Sequence, residues 1–546
     1  MDQAELDVLI VGAGPSGMLL ATALQRHGLR FRIVDKDDGP TSLTRAPVLW
    51  QRTQEILAAL GIRDLWLPES EEMLEESLHF YGKAAGTLPV SAPNSPYLKA
   101  LYAGQNVTER LLDGHLHGIG TPVDYGREAV AYSEDAGQAV VTVRDGGGNE
   151  ERIAARWVVS AEGSKSVVRH ALGLDFEGEK YVGYRIHIAD VFVRWTLATP
   201  VGQTFFFVEE HGYMGGQRMP GSPDRFYFYI LTTDDHPDDE GNDLPIEEAE
   251  RLVRDFSGDE GATLFDPQWL NTARYRHGLA ATYRKGRAML IGDAARSAPP
   301  LYGQGMNYAM HDAWNLAWKL AHVAKGLGPE ALLDTFAAER RKLGADLDAR
   351  IDSTFRFVTE PKPLQSILVK AVMPALLTSD RFRHSFSQQF TEVELSYDGV
   401  GLSEAASALG KLKAGARAPA LWVKRLPDCT HANLLDYYDG SVWTLLVIGR
   451  AGDDRKSVQP LIDYAAAQQG RFSRSLRAVL LSGGPRRPDP LPFETVVDAE
   501  GRFNGEHGLP ASGLLLIRPD GYIAWAGKDG TDRLDQYLGT WLRQVP

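Results

Sequence analysis

Cysteine is almost missing: Cys429 stands alone among 546 residues. No intramolecular disulfide framework and no multi-cysteine zinc or iron–sulfur site can be built from it, and a reducing, cytoplasmic compartment is expected. Positive charge is also in deficit, with 58 Lys and Arg against 72 Asp and Glu and a net charge of −14. That balance argues against a nucleic-acid partner and against an anionic membrane surface. Long hydrophobic runs are lacking too. The uncharged stretch 8–24 is interrupted by Gly12, Gly14, Pro15 and Gly17 and falls short of a bilayer span. The opening MDQAELD is acidic where a secretory signal is basic, so nothing there reads as a targeting segment.

What is present is an ordinary globular composition, 43% apolar and 24% charged, on a chain long enough for several domains. Val8 to Val11 is an apolar run of strand length. A glycine-rich turn and a helical stretch from Pro15 to Arg26 follow it, and Phe31 to Val34 forms a second strand ending in Asp35. That order is a βαβ opening. Val140 to Val143 and Trp157 to Val159 read as further strands. Between 176 and 275 the runs Gln203 to Glu209 and Arg225 to Thr232 are rich in aromatic and β-branched residues, the texture of a mostly antiparallel sheet. From Gly415 onward, strands alternate with helical segments at Val458 to Gln469 and Arg533 to Gln544, as in a small separate α/β domain.

The sharpest chemical signal is Gly12-Ala13-Gly14-Pro15-Ser16-Gly17 between a strand and a helix. Gly12 permits the tight turn, Gly14 lets backbone approach a pyrophosphate, and Gly17 lets the helix pack on the strand. Pro15 and Ser16 open the helix, whose N-terminus offers free N–H groups and a positive dipole end to the phosphates. Asp35 is placed to accept hydrogen bonds from an adenosine ribose. This fingerprint serves NAD and FAD alike. A second segment, Arg287 to Asn307, is a strand ending at Gly292-Asp293 and a loop through Gly305 and Met306 that runs into a helix at Asn307. An aspartate there can hold a ribityl hydroxyl, and the helix N-terminus can stabilise negative charge on a flavin ring.

In this order the motifs resemble the group A flavoprotein aromatic hydroxylases, the class of para-hydroxybenzoate hydroxylase and phenol hydroxylase. Carrying the resemblance are the glycine fingerprint, Arg45-Ala46 followed by Gln51 to Leu57, and Gln105 with Glu109 to Leu112. Glu162-Gly163 with Ser166 and Arg169, the Gly292-Asp293 loop, and Asp312 to Leu320 complete it. It implies an α/β fold: a Rossmann-like FAD-binding domain (1–175 and 276–395), an interleaved antiparallel substrate sheet (176–275), and a thioredoxin-like domain (415–546) without CxxC. It implies FAD held by Arg45, Gln105, Asp35 and Asp293, and NADPH or NADH as a transient co-substrate, since no second glycine fingerprint appears. Reduced flavin and O2 would give a C4a-hydroperoxide that hydroxylates a small aromatic molecule, a phenol, with polycyclic phenols included.

Two departures from the family pattern bear on the site. Glu162 stands where an aspartate is usual, and Arg296 and Leu301-Tyr302-Gly303 replace a histidine and a double glycine, with Tyr302 expected either to narrow the space beside the flavin or to touch substrate. Arg52 and Glu55, three apart on a helix, read as an ion pair at least as readily as a flavin contact. No catalytic base is assigned: Tyr213, Tyr227, Tyr229, His211 and His277 read as structural, and Pro47 stands where some phenol hydroxylases carry an acid. A Baeyer–Villiger or epoxidising flavin oxygenase, and a non-oxygenating FAD-binding module, stay open as alternatives. So does the oligomeric state, a homodimer included.

Overall fold

Val8, Leu9 and Ile10 have no exposed surface, the mark of an inner strand covered on both faces. In the computed structural model they belong to the strand Leu6–Val11, which pairs in parallel with Phe31–Val34 on one side and Glu150–Ser160 on the other. Glu150–Ser160 pairs in parallel with Ala288–Leu290, and a hairpin of Arg127–Asp135 and Gln138–Asp145 extends the sheet. The structure describes residues 6–135, 137–177, 184–233, 243–273, 278–297, 303–359, 372–403, 407–450, 455–483, 493–528 and 531–544. The helices Pro15–Arg26 and Gln304–Ala324 pack together against this sheet, with Met18, Leu20, Met310, Ala313 and Ala317 in one core.

A second sheet runs, in spatial order, Thr263–Ala273, Tyr184–Arg194, Arg225–Thr233, Gly212–Arg218, Gln203–Glu209, Glu75–Phe80 and Lys83–Pro89. Its pairs are antiparallel except Gln203–Glu209 with Glu75–Phe80. The last two strands come from well upstream, before the aromatic stretch that announces the sheet in the sequence. Strand alternation divides its faces. Phe207, Phe226 and Phe228 pack on the helix Ile246–Ser257, through Ala249, Leu252, Val253 and Phe256. The other face, with Ile186, Ile188 and Tyr227, turns toward the glycine turn and encloses a cavity.

The C-terminal sheet is mixed. Trp443–Gly449, Leu476–Gly483 and Glu494–Asp498 run parallel, while Gly513–Ile517, Ile523–Gly527 and the pair Trp422–Arg425 and Thr430–Asn433 add antiparallel strands. Helices Arg455–Arg471 and Thr531–Trp541 flank it. Its joint with the cofactor half combines apolar packing, with Trp318 edge-on to Trp443, and a fully buried polar cluster. Glu339 accepts from Lys319 Nζ (2.7 Å), Arg518 Nη1 (2.8 Å) and the Leu402 N–H (3.0 Å), and Arg518 Nε also donates to Asp520 (2.9 Å). Among the described residues no helix is long and apolar enough to cross a membrane.

Candidate functional site

The strand Leu6–Val11 ends at Gly12, whose φ of +103° lies where side chains are strained. A Cβ on Gly12 would stand 2.3 Å from the Ala161 carbonyl oxygen, and one on Gly17 would stand 2.0 Å from the Gly12 oxygen. Both are steric necessities. A Cβ on Gly14 would meet nothing within 4 Å, because Gly14 faces the cavity. The helix that follows has Pro15 in its first turn, no side-chain cap and no acidic residue near its start, so its N-terminal positive end is left to a ligand.

The cavity is ≈ 1560 Å³ and runs from this turn to the aromatic sheet. Of the residues marked out by the sequence, Gly12, Gly14, Pro15, Ser16, Asp35, Arg45, Gln105, Asp293, Gly305 and Met306 line it. Asp35 accepts the Ala13 and Asp37 N–H groups, so its carboxylate is fixed at the rim of the turn. Arg45 is braced by its own carbonyl, which accepts the Gln105 N–H (2.9 Å). The preceding Thr44 donates to Asp190 of the second sheet, and Asp190 is gripped by Arg225 at 2.7 and 2.8 Å. Gln105 Nε2 donates to Glu109 (2.7 Å).

Asp293 projects into the cavity with no hydrogen bond or ion pair to a described residue. The protein around it pushes its carboxyl above the ordinary range, with Arg296 and Arg45 partly opposing. The side chain is open to the cavity, where a ligand donor can reach it. Gly17, Gly292 and Asn307 are off the cavity wall. The Gly292 N–H donates to Asp312 (2.9 Å), and Asn307, fully buried, bonds the Trp50 N–H and the Val48 and Gly303 carbonyls. Asn307 therefore ties the start of Gln304–Ala324 to the strand Val48–Leu49, and Gly303, Gly305 and Met306 bring that helix's uncapped N-terminus to the cavity.

The departures have definite places. Glu162 accepts from Ser160 Oγ (2.6 Å), Ser166 Oγ (2.7 Å) and the Val167 N–H (3.0 Å). Its carboxylate reaches back to the start of the helix Val167–Ala171 and is anchored there. Arg296 turns away from the cavity into an ion pair with Asp348 (2.7 Å) and lies over the Tyr308 ring. Leu301 and Tyr302 lie outside the described residues, as does His277. Arg52 and Glu55 form the ion pair (2.8 Å) and join the halves of the molecule: Arg52 also donates to the Asp520 carbonyl (2.6 Å), and Glu55 accepts from Arg417 Nε (2.8 Å) and Ser95 (2.7 Å).

At the far end the cavity walls are Leu88, Val90, Ile186, Ile188, Phe205, Trp269 and Phe390, with Tyr227 and Tyr229 among them. Tyr213 is instead packed on Phe206, and His211 on Phe256. One carboxylic acid stands in this apolar end, Glu76 of the strand Glu75–Phe80. Burial alone pushes it up to about 7. Nothing in the sequence singles it out, because a glutamate on a strand of alternating character looks solvent-facing until two other strands close over it.

Residues 5–350 match the family described as FAD binding domain, and residues 412–544 match the aromatic-ring hydroxylase C-terminal family. The 6-methylpretetramide 4-monooxygenase of Streptomyces rimosus is 29% identical, over 97% of this chain and 92% of that one. The pentachlorophenol 4-monooxygenase of Sphingobium chlorophenolicum is 27% identical, over 99% of this chain and 97% of that one. An anhydrotetracycline hydroxylase from Streptomyces rimosus shares the fold at a TM-score of 0.75 and 25% identity, covering 99% of this chain and 100% of that one. The chain belongs to the FAD-binding aromatic-ring hydroxylases, and it is an FAD-dependent aromatic monooxygenase.

Proposed function

We propose that this member of the family hydroxylates a phenolic substrate of more than one ring, with NADPH or NADH as the transient hydride source and O2 as the oxidant. The observation that carries the reading is the size and division of the cavity. At ≈ 1560 Å³ it exceeds the range of about 300–1,000 Å³ usual for one small ligand. Its near end is polar and fitted for a dinucleotide. Its far end is aromatic and fitted for fused rings. Relatives named for 6-methylpretetramide and for pentachlorophenol bracket the substrate choice, and the extended apolar wall favours the larger kind.

In this reading FAD lies with its pyrophosphate over Gly14 at the start of Pro15–Arg26. Asp35 holds the adenosine ribose, Arg45 and Gln105 flank the cofactor, Asp293 takes a ribityl hydroxyl, and Gly305 and Met306 present the helix N-terminus to the flavin ring. The bound flavin supplies the oxygen-activating chemistry. The chain's own part is to orient the ring, keep water from the reacting face and move the phenolic proton. Domain limits of 1–175 with 276–395, 176–275 and 415–546 go with this reading. A thioredoxin-like C-terminal domain is supported by the parallel pair Trp443–Gly449 and Leu476–Gly483 around the helix Arg455–Arg471. The hairpin Gly513–Ile517 and Ile523–Gly527 and a closing helix complete the pattern.

The test is a spectrum of the purified protein, followed by NAD(P)H consumption with phenol, naphthols and hydroxyanthraquinones, and product masses. Expected are bound FAD and a multi-ring phenol that speeds consumption and gains one oxygen atom. A protein that oxidises NAD(P)H at one rate with every phenol and returns each unchanged would refute the proposal.

A further inference from the structure

Several carboxyl groups line the cavity without a hydrogen bond to a described residue, and two of them mark its ends. Asp293 stands at the cofactor end and Glu76 at the substrate end. Asp293 is open to the cavity, whereas Glu76 is half-buried among apolar and aromatic walls, where a carboxylate without a hydrogen bond is unfavourable until a ligand supplies one. For Asp293 the donor is a cofactor hydroxyl. Glu76 lies on the face of the second sheet that carries the aromatic wall.

Its surroundings narrow its role. In the sheet register Glu76 is opposite Thr204 on one side and Leu88 on the other, and both line the cavity with it. The neighbouring Glu75 points the other way and accepts from Gln203 Nε2 (2.9 Å). The titratable group facing Glu76 is Tyr102, from the strand Ala100–Tyr102. Burial, with Glu76 adding to it, holds the Tyr102 hydroxyl well above its usual range, so Tyr102 stays protonated and does not compete as a base. Tyr227 and Tyr229 complete the polar lining contributed by the strand Arg225–Thr233. No lysine, arginine or histidine among the described residues shifts Glu76; desolvation is the whole of its perturbation.

We propose that Glu76 is a catalytic residue, the general base that takes the hydroxyl proton of the bound phenol. The inference rests on the hydroxylase reading above. In the step, the phenolic O–H bond breaks and the proton passes to a Glu76 carboxylate oxygen. The electron pair stays on the ring oxygen and enriches the carbons ortho and para to it. No oxidation occurs in this step; O2 and the reduced cofactor supply the oxygen transfer that follows. The proton returns to the product oxygen or to water when the product leaves. A carboxylate of ordinary acidity is a poor base for a phenol, and desolvation is what brings this one toward the acidity the task requires.

The test compares wild type, Glu76→Gln and Glu76→Asp as FAD-loaded enzymes, on 1-naphthol and a series of 4-substituted phenols of graded acidity. NAD(P)H consumption is measured together with hydroxylated product. Wild-type kcat/KM should fall as pH drops below about 7. E76Q should lose roughly 100-fold at neutral pH and lose that acid limb. The loss should shrink steadily as the phenol becomes more acidic, since a phenol already ionised needs no base. E76D should keep a limb at lower pH with part of the rate. A structural role would not produce the dependence on phenol acidity, so an equal loss for every phenol overturns the assignment, as does an unchanged profile. If E76Q does not retain FAD, the E76D limb decides: one that coincides with wild type overturns the proposal. A wild type that hydroxylates no phenol removes the parent reading and this one together, whereas hydroxylation that E76Q leaves intact removes this one alone.

Discussion

Glu339 is fully buried and Glu76 is half-buried on the cavity wall, and desolvation acts on each. At the joint between the cofactor half and the C-terminal sheet, Glu339 has Arg518, Lys319 and Asn315 around it, and they hold its carboxyl down at about 2 despite its burial. At the substrate end of the cavity Glu76 has no such company and is pushed up to about 7. Burial sets the cost and partners decide the sign. The fully partnered charge joins the two halves of the molecule, and the charge left bare on the cavity wall is open to a ligand. The joint repeats the lesson with Arg52, Glu55 and Arg417, whose buried ion pairs tie the helix Gln51–Ala59 to the C-terminal part.

The largest effect should come from breaking the partnered side. Glu339→Gln leaves Lys319 and Arg518 short of a negative charge in a site with no exposed surface. Removing one member of a buried ionic cluster costs about 3–5 kcal/mol. Denaturant unfolding should show that loss at pH 7. The sign with pH follows from the lowered pKa: Glu339 contributes stability above its unfolded value of about 4.5, and that contribution is lost as pH falls through about 2. The gap between wild type and variant should therefore narrow in acid. A variant as stable as wild type at pH 7 would mean that the cluster gives no net stability and the comparison fails.

A middle-sized effect is expected from the other bare carboxyl. Asp293→Ala removes a group that makes no bond within the described protein, so folding stability measured without FAD should hold or rise. FAD affinity should fall by about 1.5–3 kcal/mol, roughly tenfold or more, for one charge-assisted hydrogen bond. Fluorescence titration of the apoprotein with FAD separates the two quantities. Unchanged affinity would show that a bare carboxyl in this cavity need not mark a ligand contact, which weakens the argument for Glu76 as well.

The two ends of the cavity also differed in how far the sequence disclosed them. The glycine turn, Asp35 and the Gly292-Asp293 loop are contiguous motifs, and local backbone geometry dictates their residue types, so one sequence suffices to find them. Arg52 and Glu55 were legible as a pair because i and i+3 share a helix face. Their bond to Asp520, 468 positions from Arg52, was not, since nothing local encodes it. The substrate end is assembled from strands near residues 75, 100, 204 and 227, and the upstream pair Glu75–Phe80 and Lys83–Pro89 joins a sheet whose other strands begin at Tyr184. Glu76 acquires its character only from that assembly. Asn307 illustrates the converse: the sequence placed it with the cofactor loop, and in the structure its side chain is spent on holding the helix to Val48 and Trp50.

The smallest effect sharpens the comparison at Glu162, which lies at the cavity yet is partnered. By the rule drawn from Glu339, its carboxylate acts as an anchor for the helix Val167–Ala171 and is not poised for a ligand. Its side chain is one methylene longer than aspartate, and that length is what lets one oxygen reach the Val167 N–H at 3.0 Å while the other takes the Ser160 and Ser166 hydroxyls. Glu162→Asp shortens the reach and should give up the helix-terminal bond while keeping a hydroxyl. The cost of losing one such N-terminal partner is about 1 kcal/mol. Thermal unfolding should register that much and no more. The decisive reading is kinetic: stopped-flow reduction of the bound FAD by NADPH should proceed at the wild-type rate in the variant, because a carboxylate anchored to its own helix is not free to swing toward a nicotinamide. A change of tenfold or more in that rate, with FAD content intact, would mean that Glu162 leaves its anchor when the nucleotide arrives, and that partnered carboxylates in this cavity are also functional.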